Sequence, residues 1–246
     1  MDFNELCIGC RTYRRFQPKE IDAGILDELM ENVRIANSAM NAQVLRYVLV
    51  REPSLTAAMQ PLIHWAGALP PELGTPKAGE TPVAFVLICK EGRGNPWDDI
   101  DVGIAARTIT LNAYAHGIGS AMLGAVEFPK MKELLSLPAD WDPRLLIALG
   151  YPGCESHIVS VPENGSIKYF LDEKKDYCVP KRQLSDICIK KSGTQKACPT
   201  RAGFSFIRRY EREPNAEIRK GTEPAGSVSR SENGCKTACR YSFRDI

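Results

Sequence analysis

The chain has 246 residues, 43% apolar and 25% charged, with 19 Gly and 17 Pro. This is ordinary globular composition, long enough for one large domain or two small ones, and it argues against collagen-like, coiled-coil or wholly disordered chains. Charge is uneven: residues 191–246 hold 12 Lys/Arg against 6 Asp/Glu, whereas the other 190 residues hold 20 against 24, so a mildly acidic body carries a basic tail.

The elements follow in chain order. Asp2 to Cys10 reads as a short helix, capped by Asp2 with Glu5 completing a capping box. A basic cluster, Arg11-Thr12-Tyr13-Arg14-Arg15-Phe16, comes next and is stopped by Pro18. Ile21, Ile25, Leu29 and Val33 recur every four residues and predict an amphipathic helix over about 22–36. Asn37 to Asn41 is a small-residue loop that leads into a strand over 44–50. Residues 53–66 read as helix, and Leu69 to Thr81, rich in Gly and Pro, as loop. The apolar run from Pro82 to Cys89 suits a central strand buried on both faces. A long core helix is predicted over about 99–116, stopped by Gly117. Ser120 to Val126 and Leu145 to Leu149 read as strands, with a short helix opened by Pro129 between them. Ile167 to Leu171 and Tyr177 to Val179 are extended pieces around a charged turn. Helices and strands mix without regular β-α-β alternation, which predicts an α+β fold.

Roughly 18 consecutive apolar residues would be needed for a membrane helix, and no stretch approaches that. The start, Met1-Asp2-Phe3-Asn4-Glu5, has neither a basic n-region nor an apolar h-region. The expectations are therefore no signal peptide, no membrane partner and a cytoplasmic address. Of the nine cysteines, those scattered singly among apolar or loop residues are read as reduced thiols. Cys7-x-x-Cys10 and Cys235-x3-Cys239 could in principle offer four thiolates to a metal, but they lie far apart and no His partners them, so no metal is expected.

Four clusters bear on chemistry. The guanidiniums and hydroxyl of Arg11-Thr12-Tyr13-Arg14-Arg15 form either a phosphate clamp or a solvated basic turn. The amides of Ser38-Ala39-Met40-Asn41-Ala42-Gln43 can read the edge of a heterocycle or simply shape a loop. His116-Gly117-Ile118-Gly119-Ser120-Ala121-Met122-Leu123-Gly124 would let backbone approach a flat ligand. It follows a helix and precedes a strand, the reverse of a dinucleotide fingerprint. Val179-Pro180-Lys181-Arg182 is a basic pair near the end of the body.

In this order, the clusters resemble the nitroreductase family of FMN-dependent oxidoreductases. The family pairs an Arg-Arg-Ser-x-Arg-x-Phe-like opening with a Ser/Ala-x-Asn-x-Gln-Pro loop, a core helix ending Gly-x-Gly and a basic motif near the end. The resemblance covers about residues 1–190 and implies a mixed or antiparallel central sheet flanked by helices, in a homodimer with FMN at the subunit interface. It implies that Arg11, Thr12 and Arg14 hold the FMN phosphate, approached by Lys181 and Arg182. It implies that Ser38, Asn41 and Gln43 contact the flavin and its chain, and that backbone at Met122, Leu123 and Gly124 lies along the ring. Three departures stand out: Cys10 replaces the first motif Arg, Val44-Leu45 replace Pro-Trp, and no Glu occurs over Met122–Ala125.

The activity so implied is ping-pong hydride transfer from NAD(P)H to a nitroaromatic, quinone or related electron-poor small molecule. The cofactor carries the chemistry, so no catalytic side chain is assigned, and His64, His116 and His157 are read as structural or surface groups. The alternatives are a non-catalytic FMN-binding protein, or an enzyme of the same fold performing dehalogenation or flavin cleavage. Residues 191–246 lack apolar periodicity and are expected to form a disordered basic tail. Glu211, Glu213 and Glu217 among its arginines weaken a nucleic-acid role. Truncation after Lys190 is expected to leave flavin content, melting temperature and nicotinamide oxidation nearly unchanged. Loss of several degrees or of most of the flavin would place the tail in the fold.

Overall fold

The computed structural model describes residues 1–92, 95–163 and 165–191. Helix α1 (Phe3–Gly9) begins at the expected capping box, with Asp2 and Glu5 each accepting from the other's backbone N–H at 2.8 Å. The segment 10–16 then runs across the sheet to α2 (Ala23–Arg34), capped by Asp22. A 3-10 turn, Ala39–Asn41, leads to β1 (Leu45–Val50). Helix α3 (Pro53–Met59) is shorter than predicted and yields to a 3-10 turn, Gln60–Leu62. Pro61 has no N–H to continue the helical ladder, and Ile63 instead bridges to Val126. The predicted loop over 69–81 holds one helical turn, α4 (Pro71–Gly74).

Strand β2 (Ala84–Glu91) and helix α5 (Asp98–Ala115) follow, then β3 (Gly119–Leu123), α6 (Phe128–Leu134) and β4 (Trp141–Gly150). Three short strands complete the body: β5 (Ser156–Ser160), β6 (Phe170–Leu171) and β7 (Tyr177–Lys181). A turn of helix, α7 (Leu184–Ile187), comes last. The expectations for the tail, including Cys198, Cys235 and Cys239, fall outside the described residues.

The main sheet is antiparallel throughout, in the order β1-β2-β4-β3. A second sheet, β5-β7-β6, mixes one parallel and one antiparallel pair. Strand β5 was not legible: Ser156-His157-Ile158-Val159-Ser160 is largely exposed and short, and only the long-range partner β7 selects it.

Strand β2 explains the core. Its side chains alternate between faces. Phe85, Leu87 and Cys89 join Leu146 and Ala148 of β4, Met59, Trp65 and Met131 on one face. Ala84, Val86 and Ile88 join Ile147 and Leu149 on the other, beneath α2 and α5. Helix α5 lays Val102, Ala105, Ala106, Ile109 and Ala113 on that face. Gly117, at φ 72, turns the chain out of the helix, a conformation that favours glycine.

The segment 10–16 docks at the far end of β3 and β4. Tyr13 N–H donates to Ser120 O at 2.9 Å, and Tyr13 and Phe16 are buried. Their room comes from two glycines paired across the sheet, Gly119 and Gly150. A Cβ on Gly119 would stand 2.9 Å from the Tyr13 ring, and one on Gly150 would stand 2.8 Å from Phe16. Gly119 thus makes room for a tyrosine, where the sequence had suggested room for a ligand. Gly150→Ala is expected to cost about 1–3 kcal/mol through overpacking, read as a lower urea midpoint at unchanged slope. An unchanged midpoint would show that Phe16 has slack.

Candidate functional site

With Tyr13 and Phe16 fixed in the core, the three guanidiniums of the segment fan apart. Arg11 Nη2 donates to Cys7 O at 2.6 Å, and its side chain lines a hollow of about 220 Å³. Thr12, Arg107, Thr110, Ser120, Met122 and Lys181 share that lining. Among the described residues no carboxylate lines it, and Arg11 Nε is buried there with no hydrogen-bond partner among them. Three cations thus face one cavity with no described carboxylate opposing them. Such an arrangement suits an anion able to accept several charge-assisted hydrogen bonds.

Arg14 takes another course. Its guanidinium lies 4.4 Å from the Tyr169 ring centroid and 5.2 Å from that of Tyr177. Arg15 donates to Lys175 O at the foot of the second sheet. The structure therefore does not bring Arg11 and Arg14, the two expected phosphate ligands, to one hollow. Stacking on two tyrosines, worth about 0.5–2 kcal/mol per contact, draws Arg14 away from the hollow. Burial pushes the Tyr177 hydroxyl above the ordinary tyrosine range, against the pull of Arg14.

A second hollow, of about 240 Å³, lies between α2, α5 and the loop before β1. Ser38, Gln43, Arg46, Tyr47 and Asp101 contribute to it. The loop is unusual. Met40, Asn41 and Gln43 all have positive φ, at 52°, 54° and 50°, each a conformation that costs a non-glycine residue of order 1 kcal/mol. Local bonds hold it there. Gln43 N–H donates to Ser38 Oγ at 3.2 Å, and Arg46 Nη1 donates to Gln43 O at 3.0 Å. The anchor is Asp101, only 3% exposed, whose Oδ1 accepts from Ala39 N–H at 2.9 Å. Burial, with Asp101 adding its charge, pushes the Tyr47 hydroxyl up to about 12.

Helix α5 joins the two hollows, since Asp101 and Ala105 line one and Arg107 and Thr110 the other. At 1.5 Å per residue, Asp101 and Thr110 are about 13 Å apart along the axis. Between the two flanks runs an exposed apolar stripe, Trp97, Ile100 and Ile104, at helical spacing.

Among the expected site residues, the structure brings together Arg11, Thr12, Met122 and Lys181, and separately Ser38 and Gln43. Asn41 is exposed beside the second hollow, and its carbonyl accepts from Gln43 Nε2 at 3.4 Å. Arg182 and Gly124 are exposed and line neither hollow, and the Leu123 side chain is buried in the core. Arg107 was missed. The signal was present, because it is the sole charged residue on α5 after Asp101.

Residues 9–151 match the family model described as the nitroreductase family. The chain belongs to the nitroreductase family. Membership covers the docking segment, the loop before β1, α5 and the whole main sheet. Among relatives, a candidate NADH dehydrogenase/NAD(P)H nitroreductase of Methanothermobacter thermautotrophicus is 25% identical over 62% of this chain and 78% of its own length. A solved nitroreductase family protein from Streptococcus pneumoniae superposes with a TM-score of 0.57 at 18% identity, covering 77% of this chain and all of the other. An FMN-dependent nitroreductase from Clostridium difficile superposes with a TM-score of 0.50 at 18% identity, covering 60% and 86%. The sequence-based α+β expectation, with a flanked antiparallel sheet, is the nitroreductase fold.

Asp101→Ala should free the loop that Asp101 anchors. A buried N–H left without its acceptor costs about 1–3 kcal/mol. The expected result is a stability loss in that range together with faster amide exchange confined to residues 38–43. Global loss with unchanged local exchange would deny Asp101 this role.

Proposed function

We propose that the chain is an FMN-dependent oxidoreductase that takes electrons from NAD(P)H and delivers them, in ping-pong order, to an electron-poor small molecule such as a nitroaromatic or a quinone. The observation that carries the reading is the cation-lined hollow, three positive side chains and the hydroxyls of Thr12, Thr110 and Ser120 without a carboxylate among the described residues. These residues fit the phosphate end of FMN. Arg11, Thr12 and Lys181 would hold that phosphate, and β3 at Met122, whose side chain is 43% exposed, would face the ring. When bound, FMN supplies the hydride chemistry, and the protein supplies position and electrostatics. No side chain is asked to act as acid or base.

Neither hollow alone reaches the volume usual for a cofactor-sized ligand, roughly 300–1,000 Å³. The two lie on opposite flanks of the α5 stripe. A second copy docked on that stripe about a two-fold axis would turn its Ser38–Gln43 loop toward this chain's Arg11 hollow, since a two-fold interface presents the same surface from both sides. The reading is therefore a homodimer with composite sites, in which Ser38, Asn41 and Gln43 serve the other copy's flavin.

The purified protein is expected to show flavin absorption, to run as a dimer in light scattering, and to oxidise NADH or NADPH when a nitroarene is added. Ile104→Glu should give monomers that lose flavin on dialysis. A monomer retaining full flavin would overturn the composite site. Bound flavin with no nicotinamide oxidation would favour a non-catalytic flavoprotein or another chemistry on this fold.

A further inference from the structure

Arg107 has no part in the family motif, yet it sits in the hollow with Arg11 and Lys181. Among the described residues it has no carboxylate within ion-pair distance. The only hydrogen bond its guanidinium makes to them is to sulfur: Nη1 donates to Cys10 Sγ at 3.2 Å. The Cys10 thiol in turn donates to Thr110 O at 3.3 Å. Cys10 is 6% exposed, so the sulfur is fixed between the helix carbonyl and the guanidinium. A thiol is a weak acceptor, and a guanidinium carries five N–H donors. Most of the hydrogen-bonding capacity of Arg107 is therefore left for a guest in the hollow.

We propose that Arg107 supplies, from α5, the guanidinium missing at position 10, so that the hollow is specific for a phosphate monoester, with Cys10 as the residue that positions Arg107. This rests on the FMN reading above. Cys10 and Arg107 are then one device. A small thiol at position 10 leaves the space the α5 guanidinium occupies, whereas an arginine at both positions would set two cations against each other. The pair explains how a chain lacking the first motif arginine keeps three cations at the hollow. It also gives α5, which anchors the loop before β1 through Asp101, a direct hold on the ligand of the other hollow.

The test is flavin binding by the full-length protein stripped of flavin, titrated with FMN and with riboflavin, which lacks the phosphate, and followed by flavin fluorescence. Wild type is expected to prefer FMN. Arg107→Gln is expected to weaken FMN roughly ten- to a hundredfold, the worth of one charge-assisted contact, and to leave riboflavin unchanged. Adding Cys10→Arg to Arg107→Gln should recover most of that loss. Cys10→Ala alone should cost several-fold for FMN only, and Cys10→Ser should restore it. If Arg107→Gln weakens both flavins equally, or neither, while wild type still prefers FMN, the inference is overturned and the cofactor reading stands. If wild type binds both flavins alike, the phosphate assignment itself falls. If it binds neither, the cofactor reading falls and inorganic phosphate decides the pocket. A rise in melting temperature in wild type that Arg107→Gln abolishes upholds the site, and no rise overturns it.

Discussion

The close fit of α5 on the main sheet is the constraint from which the rest follows. Alanines at 105, 106 and 113 let the helix backbone approach β2 and β4, whose facing residues Val86, Ile88, Ile147 and Leu149 are fully buried. A helix seated that closely cannot roll without opening voids, and voids in a core are costly. Its remaining faces are fixed as a result. One flank presents Asp101 to the loop before β1, the other presents Arg107 and Thr110 to the docking segment, and the outward face presents the apolar stripe. The nitroreductase scaffold here is a rigid helix that sets the spacing of the two hollows.

The docking segment shows how packing decides chemistry. Composition alone makes Arg11, Arg14 and Arg15 equivalent. Burial of Tyr13 and Phe16 removes that equivalence, because the pinned backbone leaves one guanidinium in the hollow, one over Tyr169 and Tyr177, and one at Lys175 O. Arg14 then ties the second sheet to the docking segment, while Arg11 keeps its place in the hollow.

What the sequence made legible was local. The Asp2–Glu5 capping box, the four-residue periodicity of α2, the unbroken apolar run of β2 and the glycine that ends α5 are each written within a few residues, and each is where the pattern put it. The rest depended on partners distant in the chain. Strand β5 exists because β7 pairs with it, Arg14 stands apart from Arg11 because two tyrosines more than 150 residues away attract it, and Gly119 opens space for an aromatic side chain named far upstream. Arg107 lay in plain view on an apolar helix. What gives it a meaning is the sulfur beneath it, and that neighbour belongs to another element 97 residues away.

The paired glycines carry a consequence for how the molecule is made. Tyr13 and Phe16 are made before the strands that receive them, and their recess is complete only when Gly119 on β3 has met Gly150 on β4. At about 5–20 residues per second, more than 130 residues of further translation leave those aromatics without their berth for on the order of ten seconds. The docking segment thus settles only with this long-range closure, and the hollow lined by Arg11, Arg107 and Lys181 is completed then rather than with the helices around it.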